Sequence, residues 1–170
     1  ASTSDLLPTI AAIVGQALPN RPLDGIDLTP VLDDKMSMRP SALHFWEYQA
    51  GGKQASGEPY IDPELQKGTT PLVKKMGGKA TRDFTNYRHP VITEEDYLGP
   101  RSIIEGDHKL VIHEQKSGEP KIELFDLKAD PAEKTNLAAQ QPELVKSLQT
   151  KLRQWQDSVL KSLSCADYGK

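Results

Sequence analysis

The chain has 170 residues, of which 36% are aliphatic, aromatic or cysteine and 26% are charged, so it can form one domain, or a small domain with an appended segment. Its net charge of -3 argues against a nucleic-acid-binding protein, because such proteins usually carry a strong basic excess. The sequence has no apolar run of about 18 residues that would predict a membrane span. Neither nucleic acid nor a membrane is therefore expected as a partner.

The N-terminal part of the chain is predicted to be helical. Asp5 stands where it could cap a helix that continues to about Val14, and Gly15 supplies a stop. Prolines around position 20 favour an extended connection, and a second, short helix is expected from about Thr29.

The middle of the chain alternates between strand signals and a long irregular segment. "ALHFWEY", residues 42–48, is dense in aromatic side chains between turn signals and predicts a strand. Residues 49–99 are rich in glycine and poor in apolar residues. A segment of this length without regular structure is uncommon in a compact domain, and indicates either a functional loop or a mobile one.

Regular structure is predicted to resume at Pro100. "RSIIEGDHKLVIHE" contains two apolar runs around Gly106 and Asp107, and a glycine at the first central position fits a type II′ hairpin turn. "KIELFDL" predicts the next strand. These three strands form an antiparallel meander, which the aromatic strand of residues 42–48 joins as a fourth.

The strongest periodic signal is a C-terminal helix that begins at Pro142. One apolar stripe is expected from residues at steps of three and four, namely Leu144, Leu148, Leu152, Trp155, Val159 and Leu163. Such a helix is roughly 30 Å long, enough to cover one face of the sheet. A core-packing role is favoured over binding of a partner.

The stretch "LFDLKADPAEKTNL" places oxygen-bearing side chains at near-regular intervals, as a calcium loop does. An EF-hand loop needs glycine at its sixth position and glutamate at its twelfth, whereas counting from Asp126 these positions hold Pro131 and Leu137. We therefore expect Asp126 to end a strand, Asp130 to form a turn, and Asn136 to shape the approach to the last helix through side-chain hydrogen bonds.

The same stretch, read as "ELFDLKADPAEKTNL", closely resembles the strand-and-turn motif near the C-terminus of sulfatases, with Phe125 in place of a tyrosine. Three further segments resemble that family in the same order: "DLLPTIAAIVG", "RPLDGIDLTPVL" and "RSIIEGDHKLVI". His108 stands where a tyrosine is common. The resemblance covers most of the chain outside residues 49–99.

The resemblance implies an α+β fold, in which a small four-stranded antiparallel sheet is packed by a long C-terminal helix. Residues 1–41 would be helices at the end of the sulfatase α/β catalytic domain, and residues 42–170 the C-terminal subdomain, with its long loop at 49–99. The implied partner is an N-terminal sulfatase catalytic domain, the implied substrate a sulfated carbohydrate, and the implied location the periplasm, the cell exterior or the lysosome.

The resemblance also implies chemistry that this chain does not carry. Sulfatases use a formylglycine, made from the Cys or Ser of a Cys/Ser-x-Pro-x-Arg motif, beside a calcium ion. The single cysteine, Cys165, is followed by Asp167 and Gly169 where that motif has proline and arginine. The family's metal and sulfate ligands also precede its counterpart of the first helix, so we assign no catalytic residue, metal ligand or cofactor here and expect no activity from this chain alone.

Three of the four histidines, His44, His108 and His113, are expected to have structural roles. A Ser-His-Asp triad lacks the Gly-x-Ser-x-Gly turn that would support it. His44 and His113 fall in predicted strands, where a partly buried, hydrogen-bonded histidine is the usual case. His108 is expected to be exposed in the hairpin turn.

Residues 66–90 carry a local charge of +5 in a chain that is acidic overall. The plain interpretation is a solvated loop, since ordering its glycines is entropically unfavourable. The functional interpretation is a substrate-binding site for sulfated sugars, because arginine matches sulfate oxygens in pairs and aromatic rings stack on sugars. The "RDFTNYRHP" stretch supplies its candidate residues, which are Arg82, Tyr87, Arg88 and His89.

Two functions from different classes remain open. As the C-terminal portion of a sulfatase, the chain should expose an apolar face on its first helix, formed by Leu6, Leu7, Ile10, Ile13 and Val14. As a free-standing binding or interaction module with the same fold, it should present a polar surface there. The state of that helix face therefore separates the two hypotheses.

Overall fold

The computed structural model describes residues 1–48, 92–114, 118–163 and 166–167. Its helices are α1 (Leu6–Val14), α2 (Thr29–Leu32) and α3 (Pro142–Leu163), and its strands are β1 (Leu43–Trp46), β2 (Arg101–Glu105), β3 (His108–His113) and β4 (Lys121–Asp126). Short 3-10 helices cover Thr3–Asp5 and Glu94–Tyr97. None of the described helices is long and apolar enough to cross a bilayer.

The four strands form one antiparallel sheet in the order β1-β2-β3-β4. Gly106 has a φ of +57° in the turn between β2 and β3, the sign that the first central position of a type II′ turn requires. The sheet and its flanking helices confirm the predicted α+β fold.

One face of the sheet packs against α3. The core contains Ile103 of β2, Leu110 and Ile112 of β3, Leu124 of β4, and Leu148 and Leu152 of α3. Burying each of these side chains contributes about 2 kcal/mol to the free energy of unfolding. The sheet and α3 therefore stabilise each other as one packed unit.

The predicted apolar stripe of α3 is confirmed from Leu144 to Trp155, which lie in the core or pack against it, but it omits two buried residues farther along the helix. Leu148 and Leu152 are fully buried as expected, but beyond them the buried residues are Gln156 and Leu160, each 2% exposed, and Val159 is only half-buried. A step of four from Leu152 keeps the buried positions on one helix face. Gln156 tolerates burial because its Nε2 donates a hydrogen bond to the carbonyl oxygen of Tyr97, 3.1 Å away.

Helix α1 has the predicted bounds, and it ends at Gly15 in the left-handed conformation with φ +68°. Asp5 occupies the N-cap position of α1 as predicted, but its side chain makes no cap hydrogen bond to the helix. The carboxylate instead accepts hydrogen bonds from the backbone N–H groups of Ser2 and Ile26 and from Arg39. Asp5 therefore connects α1 to more distant parts of the chain.

The long segment of residues 49–99 is shorter than predicted at its C-terminal end. Residues 49–91 are outside the described part of the chain, but regular structure returns at Glu94–Tyr97 rather than at Pro100. Thr93 and Asp96 form a reciprocal capping box around this turn. The sequence "TEED" is that signature, but the surrounding residues lack the apolar period that predicts a helix.

Candidate functional site

Helix α1 presents an apolar surface to solvent. Its side chains Leu6, Leu7, Ile10, Ile13 and Val14, here called the α1 face, are each between 51% and 65% exposed. Within the helix only Pro8 and Ala11 are buried, and none of its residues is charged. Single exposed apolar side chains are common, but a contiguous apolar patch usually marks an interaction surface. The sequence-based prediction of this exposed face is confirmed.

The α1 face is held in place by a buried ion pair at the start of the helix. Arg39 Nη1 and Nη2 donate to the two carboxylate oxygens of Asp5 at 2.8 and 2.9 Å. The Asp5 side chain is fully buried, and the Arg39 guanidinium beside it holds the pKa of this carboxyl well below its usual value. The carboxylate therefore stays ionised at any pH near neutrality, and the pair keeps its two hydrogen bonds.

Further hydrogen bonds join α1 to the segment that follows it. Thr9 Oγ1 donates to the carbonyl oxygen of Asp5 at 2.7 Å and accepts from the N–H of Leu28 at 3.0 Å. Gly25 lies so close to the 3-10 helix that precedes α1 that an added Cβ would stand 1.9 Å from the carbonyl oxygen of Ser4. Helix α1 is thus packed on the side that carries Pro8, Thr9 and Ala11, which leaves the α1 face directed outward.

Asp24 connects this N-terminal region to α3. Its Oδ1 accepts a hydrogen bond from the indole N–H of Trp155 at 2.7 Å, and its carbonyl oxygen accepts one from Arg39 Nη2 at 3.2 Å. A groove of ≈ 230 Å³ lies between α1, residues 21–25 and Ser162. The groove is bordered by Leu7 of the α1 face and by the polar side chains of Arg21 and Asp24.

The oxygen-rich stretch after β4 is a set of turns, as the sequence predicted. Asp126 Oδ1 accepts from the N–H groups of Lys128 and Ala129, and Asp130 Oδ2 from those of Lys134 and Thr135, all within 3.0 Å. These backbone bonds, with that of Ala129 foremost, lower the pKa of Asp126. Among the residues that the structure covers, no cluster of His, Cys, Asp and Glu is arranged to hold a metal ion.

The side chain of Asn136 connects the turns after β4 to the sheet. Its side-chain oxygen accepts hydrogen bonds from the N–H of Leu124 at 3.1 Å and from the N–H of Ala138 at 2.9 Å. The first bond reaches β4 and the second shapes the approach to α3. The predicted role of Asn136 is therefore confirmed.

The three described strand histidines have different environments. His44 stacks on Trp155 with ring centroids 5.0 Å apart and an interplanar angle of 8°, and burial lowers its pKa. His113 Nε2 lies 2.7 Å from Glu123 Oε2. The expectation that His108 is an exposed turn residue is wrong, because it is the first residue of β3 and half-buried. Its strand position follows from the two-residue turn at Gly106 and Asp107.

The predicted substrate-binding residues Arg82, Tyr87, Arg88 and His89 lie outside the described part of the chain, as does Cys165. The ends of the segment that carries the four substrate residues are described. We call residues 46–48 and 93–100, where this segment leaves and rejoins the described fold, the neck.

Three hydrogen bonds join the two sides of the neck. The N–H of Glu47 donates to the carbonyl oxygen of Pro100 at 2.8 Å, and the indole N–H of Trp46 to that of Leu98 at 3.0 Å. The hydroxyl of Tyr48 donates to Asp96 Oδ1 at 3.2 Å. Burial, followed by the neighbouring Asp96 carboxylate, raises the pKa of Tyr48 to about 12, so its hydroxyl stays a donor.

The returning side of the neck is also fixed to α3. Tyr97 donates its hydroxyl to Asp157 Oδ1 at 2.6 Å, and this hydrogen bond is the main cause of its raised pKa. The Arg153 guanidinium lies over the Tyr97 ring, 3.1 Å from its centroid, and donates to both carboxylate oxygens of Glu94 at 2.9 Å. Sequence reasoning missed these contacts, since their partners are about 60 residues apart.

No protein-family model matches the chain. Arylsulfatase A of Bos taurus and that of Homo sapiens are each 62% identical to it over 32 residues, which are 19% of this chain and 6% of each relative. The match therefore spans only a small part of these relatives.

Solved structures match over nearly the whole chain. A 6S-sulf protein of glycosaminoglycan metabolism in Bacteroides thetaiotaomicron has a TM-score of 0.51 at 17% identity, covering 90% of this chain and 24% of that one. Ps i-CgsB, solved with k-i-k-neocarrahexaose, has a TM-score of 0.52 at 14% identity, covering 89% and 23%. A third protein, solved with its substrate D-glucosamine-2-N, 6-O-disulfate, has a TM-score of 0.50 at 19% identity, covering 91% and 23%.

At these identities the solved structures show a shared fold and nothing further. Combined with the short, highly identical match to arylsulfatase A, they confirm the resemblance of this chain to the C-terminal region of sulfatases. The chain corresponds to about a quarter of the length of the solved proteins.

Proposed function

We propose that this chain is the C-terminal portion of a sulfatase, and that it supports a catalytic domain through the α1 face. The observation that carries the proposal is the exposure of five large apolar side chains on a helix whose N-terminus is fixed by a buried ion pair. Leaving such a patch in water is unfavourable by about 25 cal/mol per Å² of apolar area. A catalytic domain packed on the α1 face would remove that cost.

The catalytic centre belongs elsewhere in the proposed enzyme. The formylglycine and calcium ion expected of a sulfatase would both lie outside this chain, and the oxygen-rich turn after β4 uses its carboxylates for backbone hydrogen bonds. Within the described residues the chain contributes packing surfaces rather than reacting groups. Export to the periplasm, the exterior or the lysosome is the location that suits such an enzyme.

Enzymatic assay of the purified chain tests its lack of a catalytic centre. With an aryl sulfate as substrate and calcium present, the 170-residue chain should show no turnover above the uncatalysed rate. Calcium-dependent hydrolysis by this chain would contradict the proposal. An antibody against the chain, used on its source cells, should detect a protein several times larger than 18.8 kDa.

Binding of a hydrophobic dye tests the α1 face. The double variant Ile10→Gln and Ile13→Gln should bind much less dye than the wild type and should unfold at a similar urea concentration, because both side chains are already exposed. The matched control is Val31→Gln with Leu32→Gln, which removes two exposed apolar side chains from α2 instead. A monomeric wild type that binds no dye would favour a free-standing interaction module with this fold.

We further propose that Arg82, Tyr87, Arg88 and His89 help to bind a sulfated carbohydrate. The support is chemical: the arginines can each pair with two sulfate oxygens, and the tyrosine can stack on a sugar ring. Two of the structurally similar proteins were solved with carbohydrate ligands, a neocarrahexaose and a glucosamine disulfate. These residues would sit at the rim of the substrate site of the complete enzyme.

Kinetics of the complete enzyme test this substrate role. Replacing Arg82 and Arg88 with Ala should raise KM for a sulfated oligosaccharide far more than KM for a small aryl sulfate, since only the larger substrate reaches the rim. The control is Lys74→Ala with Lys75→Ala, which removes the same charge from the same basic segment. Equal effects of the two double variants on KM would indicate that the basic segment acts only through its overall charge and contains no specific binding site.

A further inference from the structure

We infer that the side chain of Trp155 joins the N-terminal region, residues 1–41, to the sheet, and that a positive charge on the His44 ring in mild acid loosens this attachment. Asp24, His44 and Trp155 are here called the joint. The joint is argued from contacts within the described residues. Its effect on a catalytic domain packed on the α1 face rests, in addition, on the proposed function.

The first step of the argument is that Trp155 contacts two other segments of the chain. Its indole N–H donates to Asp24 Oδ1 at 2.7 Å, and its ring stacks on that of His44 in β1, with centroids 5.0 Å apart. The ring of Trp46 meets it edge-on, with centroids 6.3 Å apart. Because Trp155 lies on α3 and packs against the core, the sheet–helix unit fixes its position.

The second step is that the joint continues to the start of α1. The carbonyl oxygen of Asp24 accepts a hydrogen bond from Arg39 Nη2 at 3.2 Å, and the same guanidinium holds the buried carboxylate of Asp5. The next residue, Gly25, lies against the 3-10 helix that precedes α1 without room for a Cβ. A displacement of Asp24 therefore reaches α1 through both Arg39 and Gly25.

The third step concerns the charges that face His44. The carboxylates of Asp24 and of Glu105 in β2 favour a charged imidazole, and the guanidinium of Arg39 disfavours it. Glu105 already pairs with Lys151 Nζ of α3 at 2.6 and 2.7 Å. Burial against the indole ring of α3 outweighs the two carboxylates and lowers the pKa of His44. The folded protein therefore favours the neutral ring.

The fourth step is the sign of the pH effect. A histidine has a pKa of about 6.5 in an unfolded chain. Because the folded-state pKa of His44 is lower, its stabilising contribution is complete above about pH 6.5 and is lost as pH falls through the folded-state pKa. The Asp5 carboxylate stays ionised throughout this range. The joint should thus loosen in mild acid while the buried ion pair with Arg39 remains intact.

Amide hydrogen exchange in residues 21–28 measures this loosening. The N–H groups of Ile26 and Leu28 bond to side chains of the α1 region, so they report whether it stays attached. After correction for the intrinsic pH dependence of exchange, their rates should rise by about threefold or more between about pH 7.5 and pH 5. Rates in β3 should not change. Slower exchange in acid would show that the imidazolium strengthens the stack, and would overturn the inference.

Two histidine variants identify the titrating group. His44→Phe keeps an aromatic ring against Trp155 but cannot be protonated, so exchange in residues 21–28 should no longer respond to pH. The matched control, His113→Phe, removes the histidine that pairs with Glu123 at the far end of β3 and should keep the wild-type response. An acid response that survives in His44→Phe, or that both variants lose, would contradict the role of His44.

A third variant tests the hydrogen bond of Trp155. Trp155→Phe keeps a ring but loses the indole N–H, so exchange in residues 21–28 should become about fivefold faster at pH 7.5. The control is Trp46→Phe, which removes an indole N–H that bonds to Leu98 instead of Asp24 and should leave residues 21–28 unchanged. Equal exchange in the two variants would overturn the assignment of Trp155 to the joint.

Hydrophobic dye binding at pH 7.5 separates this inference from the proposed function. If the wild type binds no dye, the α1 face fails as a docking surface for a catalytic domain, and exchange in residues 21–28 still decides whether the joint exists. If the wild type binds dye but its exchange does not respond to pH, the docking surface stands and the inference about His44 is wrong.

Discussion

Asp5 organises the N-terminal region through one buried side chain. Its two oxygens accept hydrogen bonds from Ser2, from Ile26 and twice from Arg39. Removing one member of such a pair leaves a buried charge without its partner, which destabilises proteins far more than loss of an exposed ion pair. The placement of α1, and with it of the α1 face, therefore depends on Asp5 and Arg39.

Replacing Arg39 with Ala should lower the free energy of unfolding by about 3 kcal/mol. Urea denaturation monitored by circular dichroism measures the change. The control is Lys35→Ala, which breaks an exposed ion pair with Asp33 and should alter stability by no more than about 0.5 kcal/mol. A loss as small in the Arg39 variant as in the control would show that the buried pair does not hold α1.

The same pair predicts a loss of stability in acid. Because the folded-state pKa of Asp5 lies below its unfolded value, its contribution is complete above about pH 4 and is lost as pH falls through the folded-state pKa. Between about pH 6 and pH 3, the wild type should therefore lose more stability than Asp5→Asn. Urea midpoints at the two pH values measure this difference, and parallel losses in the two proteins would contradict it.

The turn after β4 should not bind calcium. Asp126 and Asp130 direct their oxygens to backbone N–H groups, so a calcium ion would have to displace those bonds. Calorimetric titration of the chain with calcium should show the same heat for the wild type and for Asp130→Ala. A calcium signal that Asp130→Ala removes would restore the metal interpretation of this stretch.

At the scale of elements, α3 and all four strands of the sheet could be predicted from the sequence, because apolar periodicity and turn residues are local signals. The sequence did not predict the burial of Gln156 because its side chain is polar, and it placed Val159 in the stripe because its side chain is apolar. Composition alone cannot show that the amide of Gln156 meets the carbonyl oxygen of Tyr97. Burial there is decided by a partner from another part of the chain.

The stabilities of two leucine variants of α3 test which positions of this helix are buried. Leu160→Ala should cost about 3 kcal/mol of unfolding free energy, since Leu160 is fully packed. Leu144→Ala makes the same chemical change at a half-buried position of the predicted stripe and should cost less than half as much. Chemical denaturation of both variants tests the corrected stripe, and the reverse order of stability would favour the original one.

At the scale of the whole molecule, the α1 face could be predicted because it consists of neighbouring residues of one helix. The neck could not, since bonds such as that from Tyr97 to Asp157 join distant segments without any local pattern. Arg82 and Arg88 were singled out by charge and composition, which identify a chemical preference but give no position in space. The sequence therefore predicted surfaces within one element better than sites built from several.

The strand order also has a kinetic consequence. Strands β2, β3 and β4 are joined by short connections and pair with one another in order. Strand β1, in contrast, pairs with β2 only after the long segment of residues 47–100 has closed into a loop. Contacts between distant residues form slowly, because chain entropy is lost before any contact is gained. The three-stranded meander should thus collapse onto α3 early, and β1 should dock last and detach first when the protein unfolds.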